Sequence, residues 1–353
     1  MSTQPGSSLL SAAFAPNFHR WCISRFLLGL LILPFLSCDS SGSSQTASPP
    51  ALSANLNFGL ATGTLQSVTF HSATLRRSFD YLVFLPAGYQ ASSTKRYPVL
   101  FLLHGRGDSM QAWATIKLDL DRLIATGKIP PVIAVMPDAP GSHRAGYYID
   151  SQFTGTGGGT GLPAGELLET AFTRDLMAHV DAAFPTRTDR ASRLVAGYSM
   201  GGAGALRHAL AHPELFGAAI VLSPAVYFPL PPRDSSTREF GAFGLGRESF
   251  SEQVYRSLNY PALLPEFASK GLPLAVFIAV GDDETALTDP AEASHDLDYE
   301  AHTLYNHLRR TKGVSAQLRV VDGGHNWGTW RPAFSEGVTF AFEWLKSEVP
   351  TPK

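Results

Sequence analysis

The chain has 353 residues, 44% hydrophobic and 16% charged, with 28 Lys and Arg against 30 Asp and Glu. So small a charged fraction excludes a disordered polyelectrolyte, and the near balance of charge gives no electrostatic footprint for a nucleic-acid partner. Two cysteines exclude a disulfide framework or a Cys-rich zinc site, while 32 Gly and 25 Pro point to a loop-rich fold.

In chain order the first feature is apolar. Phe26–Ser37 (FLLGLLILPFLS) holds no charge and is shorter than the roughly 20 residues that span a bilayer. Arg20 and Arg25 precede it, and no acid occurs before Asp39. A basic flank followed by a short apolar run predicts an export signal over residues 1–37. Phe35-Leu36-Ser37-Cys38 resembles a bacterial lipoprotein signal, with Phe35 where Leu is usual. That likeness implies Cys38 as a lipidation point, an exported protein, and membrane contact only through this anchor. Secretion with cleavage nearby, an uncleaved anchor and a cytoplasmic location are the alternatives. Residues 38–55 are rich in Ser and Pro and read as a tether. Residues 56–350 read as one folded domain.

Within that domain, strands are predicted at Gln66–Phe70, Tyr81–Phe84, Val99–Leu103, Val132–Met136, Arg193–Ala196, Ala218–Leu222, Leu274–Val280 and Gln317–Val321. Several are apolar throughout, as strands covered on both faces are. Helices are predicted at Leu118–Thr126, Leu167–Phe184, Gly202–Ala211, His295–Arg310 and Val338–Glu348. In the second, Leu168, Phe172, Leu176, Val180 and Phe184 recur every fourth residue and form an apolar stripe. Strand–helix alternation implies an α/β fold with a mostly parallel central sheet and helices on both faces. Two stretches interrupt it. Residues 154–161 are Gly-rich but follow no strand and carry no Lys, so they read as a loop rather than a phosphate cradle. Residues 227–272 are long, aromatic and weakly periodic, and are expected to form a lid-like excursion.

Gly197-Tyr198-Ser199-Met200-Gly201 matches G-x-S-x-G between a predicted strand and a predicted helix. That is the setting of a nucleophile elbow, in which Gly197 and Gly201 leave room for a strained turn at Ser199. The N–H of Met200, opening the helix, is one candidate oxyanion donor. The N–H of Arg106, after the strand that runs into His104-Gly105, is the other. Of eleven His, His325 fits a general base. It follows a late strand through Asp322-Gly323-Gly324 and can reach the carboxyl edge of the sheet. His208 and His212 lie on the helix after the elbow, and His295, His302 and His307 read as surface residues. An orienting carboxylate is expected in chain order between Ser and His. Gly281-Asp282-Asp283-Glu284 follows a strand, and the spacing of three after Gly selects Glu284, with Asp283 and then Asp282 as alternatives.

These residues carry a resemblance. Residues 97–105 (YPVLFLLHG), 196–205 (AGYSMGGAGA), 212–216 (HPELF) and 322–327 (DGGHNW) resemble the putative-esterase branch of the α/β-hydrolases, which holds feruloyl esterases, S-formylglutathione hydrolases and mycolyltransferases. The resemblance runs from about residue 60 to 345. It implies the α/β-hydrolase fold, a serine carboxylic-ester hydrolase, Ser199 as nucleophile and His325 as base. It implies an acid at Glu284 less strictly, because Asp is commoner there. The longer gap to His325, around 291–298, keeps Asp283, Asp296 and Asp298 in play. No cofactor or metal is implied. The expected substrate is a small, aryl or carbohydrate-linked ester, with His104, Trp113, Tyr198 and Trp327 as candidate pocket residues. Tyr147, Tyr148 and Trp330 are further loop aromatics. Acyl transfer to a sugar or other alcohol uses the same parts, and a non-catalytic binding protein on a retired scaffold is a third reading. Oligomeric state is not legible.

Overall fold

The structure is a computed structural model that describes residues 61–92, 94–155, 165–285 and 290–348. The expected export signal, Cys38 and the tether lie outside the described residues, as does most of the Gly-rich stretch 154–161. The described residues belong to one compact unit, Asn57–Lys353.

Among the described residues there are ten strands: β1 (Thr64–Ser72), β2 (Arg77–Leu85), β3 (Val99–Leu103), β4 (Ile133–Pro137), β5 (Gln152–Phe153), β6 (Arg193–Tyr198), β7 (Ala218–Leu222), β8 (Leu245–Gly246), β9 (Leu274–Gly281) and β10 (Val314–Val321). Eight form one sheet in the order β1-β2-β4-β3-β6-β7-β9-β10. The β1–β2 hairpin is antiparallel and joins β4 antiparallel, whereas every pair from β4 to β10 is parallel. All eight predicted sheet strands are therefore present in an α/β-hydrolase arrangement.

Side-chain alternation explains why β3 and β9 read as unbroken apolar runs. On β9, Leu274, Val276, Ile278 and Val280 enter the core on one face. Ala275, Phe277 and Ala279 enter the core on the other. A strand buried on both faces has no polar position to offer, so the period of two disappears from the sequence. The first core lies under the segment 168–183 and the helices Met200–Ala211 and Leu297–Leu308. The stripe Leu168, Phe172, Leu176 and Val180 is wholly buried there. The second lies under Lys117–Ala125 and Trp327–Glu348.

Two expectations change. The last helix starts at Trp327, eleven residues before its expected start at Val338. Pro332 lies inside this helix, where its ring removes the N–H that would reach the Gly328 carbonyl, and the 22-residue helix runs on through it. The excursion 227–272 holds a 3-10 turn Ser236–Arg238, strand β8 paired in parallel with β5, and helices Glu252–Leu258 and Tyr260–Lys270. His295 and His307 are not plain surface residues. His295 Nδ1 lies 2.9 Å from buried Glu300, and His307 Nδ1 lies 2.9 Å from the hydroxyl of Tyr260.

Candidate active site

β6 delivers Ser199 to the carboxyl edge of the sheet, and the helix Met200–Ala211 departs at once. Ser199 therefore turns with φ 55° and ψ −123°, a sparsely populated conformation for a non-glycine residue. Three backbone bonds hold it. Ser199 N donates to Leu222 O at 2.9 Å, and its carbonyl accepts from Ala203 N and Ala225 N, each at 3.1 Å. The turn closes so tightly that a Cβ on Gly197 would meet the Gly201 carbonyl, and one on Gly201 would meet the Leu103 carbonyl. The glycines of the motif are thus fixed by contact between backbones.

The carboxylate comes from the end of β9. Glu284 Oε2 lies 2.6 Å from His325 Nδ1, with the carboxylate fully buried and the imidazole 38% exposed. Glu284 Oε1 accepts from Ser223 Oγ at 2.6 Å and from Gly281 N at 2.7 Å. Ser223 Oγ in turn accepts from Trp330 Nε1 at 2.8 Å. Both carboxylate oxygens are satisfied, which is what a buried charge requires. With Nδ1 donating to Glu284, His325 Nε2 is the nitrogen left to act as a base.

The alternative acids are placed elsewhere. Asp282 is exposed and accepts from Gly323 N, and Asp283 is exposed with its N–H on the Gly323 carbonyl. Asp296 is the N-cap of the helix Leu297–Leu308, and Asp298 lies in its first turn. The longer gap around 291–298 holds a 3-10 turn, Pro290–His295, leading into that helix.

The second oxyanion candidate is positioned by a buried histidine. The loop at Gly105 presses on the elbow, where an added Cβ would lie 2.5 Å from the Tyr198 ring. His104 is wholly buried, and burial lowers its pKa and keeps it neutral. Its Nε2 accepts from Ala139 N at 3.1 Å, so Nδ1 carries the proton and donates to the Gly105 carbonyl at 2.8 Å. That carbonyl and the Arg106 N–H belong to one peptide plane, so fixing the first orients the second.

Ser199, His325, Arg106, Tyr147, Tyr227 and Thr237 line a cavity of about 310 Å³, and Asp283 and Glu284 reach its wall. The expected pocket residues do not line it. His104 lies beneath the oxyanion loop. Trp113 and Tyr198 are fully buried, and Trp327 packs on both, with ring centroids at 5.2 and 5.0 Å. Tyr198 also stacks on Trp330 at 4.4 Å and donates its hydroxyl to Asp108 at 2.6 Å. The reason is geometric. Trp113, Tyr198 and Trp327 pack in the core under the helix Trp327–Glu348, whereas the cavity lies above the strand ends. Of the loop aromatics, Tyr147 does reach the cavity, its hydroxyl 2.7 Å from Thr237 Oγ1. Tyr148 is buried and donates to the His104 carbonyl at 3.2 Å.

Sequence reasoning missed Ser223, Tyr227 and Thr237, and took Trp330 for a loop aromatic rather than a helix residue that donates to Ser223. A polar residue directly after the apolar strand β7 was the available signal for Ser223. Trp330 lies five residues after His325 and one helical turn into the last helix, and nothing local marks it. Among the described residues, two side-chain groups have metal-ligand composition: Glu169, His208 and His212, and the exposed Asp282, Asp283 and Asp322. Neither contains Ser199, His325 or Glu284.

The family model described as "Putative esterase" matches residues 72–341. An endo-1,4-beta-xylanase/feruloyl esterase of Xylanibacter ruminicola is 32% identical over 203 residues, 56% of this chain. The aligned region spans only 26% of that relative's length. An acetyl esterase of Caldicellulosiruptor saccharolyticus is 24% identical over 294 residues, covering 80% of this chain and 97% of the relative. Among solved structures, a ferulic acid esterase superposes with TM-score 0.62 at 25% identity, covering 80% of this chain and 98% of that one. An S-formylglutathione hydrolase from Agrobacterium tumefaciens gives 0.61 at 19% identity, over 81% and 96%.

Proposed function

The chain belongs to the putative esterase family, and from that premise we propose that it is a serine carboxylic-ester hydrolase working through Ser199, His325 and Glu284. The observation that carries the proposal is the Glu284–His325 couple, held at 2.6 Å at the mouth of the cavity that Ser199 lines. His325 Nε2 takes the Ser199 proton as Oγ attacks the ester carbonyl. The imidazolium so formed faces the buried Glu284 carboxylate. The N–H groups of Met200 and Arg106 receive the developing oxyanion, in a site where they need no reorganisation. His325 then protonates the departing alcohol, and water, activated by the same imidazole, releases the acyl group.

The substrate class proposed is a small acyl or aryl ester carried on a carbohydrate. Two features support it: hydroxyl-bearing Tyr147, Tyr227, Ser236 and Thr237 in the cavity wall, and likeness to proteins named feruloyl and acetyl esterases. Export belongs to the same proposal and rests on the N-terminal sequence pattern. Metabolic labelling with a fatty acid, abolished by Cys38→Ala, is its expected result, and unchanged labelling contradicts it.

Hydrolysis of p-nitrophenyl acetate and methyl ferulate by the wild type and Ser199→Ala tests the reading. Turnover by the wild type and none above background by the variant is expected. Equal rates would sink it.

A further inference from the structure

The far end of the helix Met200–Ala211 carries a second set of chemistry-bearing side chains. His208 and His212 are four residues apart and so share one helix face. Glu169 reaches them from the neighbouring turn Leu168–Thr170. His208 is fully buried between the rings of Phe172 and Phe216, with centroids at 4.5 and 6.5 Å, and neither of its ring nitrogens is hydrogen-bonded. An imidazole in such a place bears a desolvation cost that a phenyl ring of similar shape would not. Next to it, Glu169 Oε1 lies 2.8 Å from His212 Nε2, and Oε2 accepts from Arg207 Nε at 2.8 Å. One nitrogen of each imidazole and one carboxylate oxygen lie within 4.8 Å of one another.

We propose that Glu169, His208 and His212 bind a divalent transition-metal ion of the zinc class, as a clamp joining the end of this helix to the segment 168–183. Two imidazoles and one carboxylate are a three-ligand set that zinc takes, with water completing the shell. An all-oxygen cation such as calcium or magnesium is disfavoured by the same donors. The shape fits with small movements. Ligands about 2.0–2.1 Å from zinc sit roughly 3.4 Å apart in a tetrahedron. The Glu169–His212 pair must open slightly, and His208 must swing toward it. Binding through Nε2 leaves the His212 proton on Nδ1, which faces Glu214 Oε1 at 3.7 Å. An outer carboxylate on a ligating imidazole is a common support of such sites. Arg207 is already taken up by Glu169 Oε2 and the Leu258 carbonyl, so the carboxylate coordinates through Oε1 alone. His212 is 28% exposed on its side chain, which gives an entry path and room for the water.

The site is distinct from the esterase centre, and its test does not depend on hydrolysis. The full chain, without an affinity tag and stripped by chelator, is titrated with Zn²⁺ by calorimetry and with Co²⁺ by visible absorption. One equivalent of Zn²⁺ with Kd of about 1 μM or tighter is expected, together with Co²⁺ bands of a nitrogen–oxygen shell. His208→Phe, which keeps the shape of the apolar niche, should weaken Zn²⁺ binding by about 100-fold or more and leave p-nitrophenyl acetate turnover within about twofold. His212→Gln retains a donor to Glu169 and should weaken binding at least about tenfold. Wild-type binding no tighter than about 100 μM, or equal affinity in wild type and both variants, overturns the proposal.

Discussion

Glu284 and Glu300 are both buried and each faces a histidine, but only Glu284 sits beside the cavity that Ser199 lines. Glu284 lies 2.6 Å from His325 and Glu300 lies 2.9 Å from His295. Glu284 follows the carboxyl end of β9, and its second oxygen is held by Ser223 and Gly281. Its histidine opens on the cavity that holds Ser199. Glu300 lies on the helix Leu297–Leu308, and its other partner is the backbone N–H of Phe228, at the start of the excursion 227–272. That pair ties a covering segment to the body of the domain. A carboxylate–imidazole couple is therefore not by itself a catalytic signature. The proposed role of Glu284 and His325 rests on their address at the strand ends, beside the cavity that the strained Ser199 lines.

The comparison breaks most sharply at the nucleophile. Ser199→Ala and His325→Ala are each expected to lower kcat by about 10⁴–10⁶-fold, measured against a short p-nitrophenyl ester. Next in size is the exchange of the two acids. Glu284→Gln should cost about 10²–10⁴ in kcat with little change in KM, because an amide steers the imidazole to the wrong tautomer. Glu300→Gln should leave kcat within about threefold. Similar losses in both variants would erase the distinction drawn between the pairs.

A smaller effect sharpens it. Ser223→Ala removes one of the donors to Glu284 Oε1 and leaves Trp330 Nε1 without its acceptor. A fall in kcat of about tenfold is expected, and rescue by Ser223→Thr would assign it to the hydroxyl rather than to packing.

The smallest effect is one of pH. Burial raises the Glu300 carboxyl from 4.5 to about 7, against the opposing pull of His295 and the Phe228 N–H. Its folded pKa lies above its unfolded one, so the folded state binds the extra proton between these values. The stability it contributes is present below about pH 4.5 and is lost as pH rises through about 7. Thermal unfolding from pH 5 to 8 should show this fall in the wild type and a flatter profile in Glu300→Gln. Parallel profiles would show that Glu300 does not govern it.

The inner strands of the sheet were legible because they are buried on both faces, which leaves unbroken apolar runs such as LAVFIAVG. The elbow was legible for a related reason. Contacts between backbones at Gly197 and Gly201 admit no side chain, and that requirement is written in the sequence. Glu284 was harder to choose. Three consecutive acids offer the same chemistry, and only the local turn after β9 decides which one is turned inward. The pocket was not legible. An aromatic residue near the motif reads alike whether it points above the strand ends, as Tyr147 does, or into the helix layer, as Trp113 and Tyr198 do. Tyr227 and Thr237 come from a segment whose placement depends on pairing between β5 and β8, two residues each and more than 90 positions apart.

The central claim is that Ser199 is the activated nucleophile, and labelling tests it most directly. The purified chain is treated with a fluorophosphonate, and the modified residue is located by intact mass and peptide mapping. One adduct on the Ser199 peptide is expected, absent in Ser199→Ala and strongly slowed in His325→Ala. No adduct, or an adduct on another residue while ester hydrolysis persists, would contradict it.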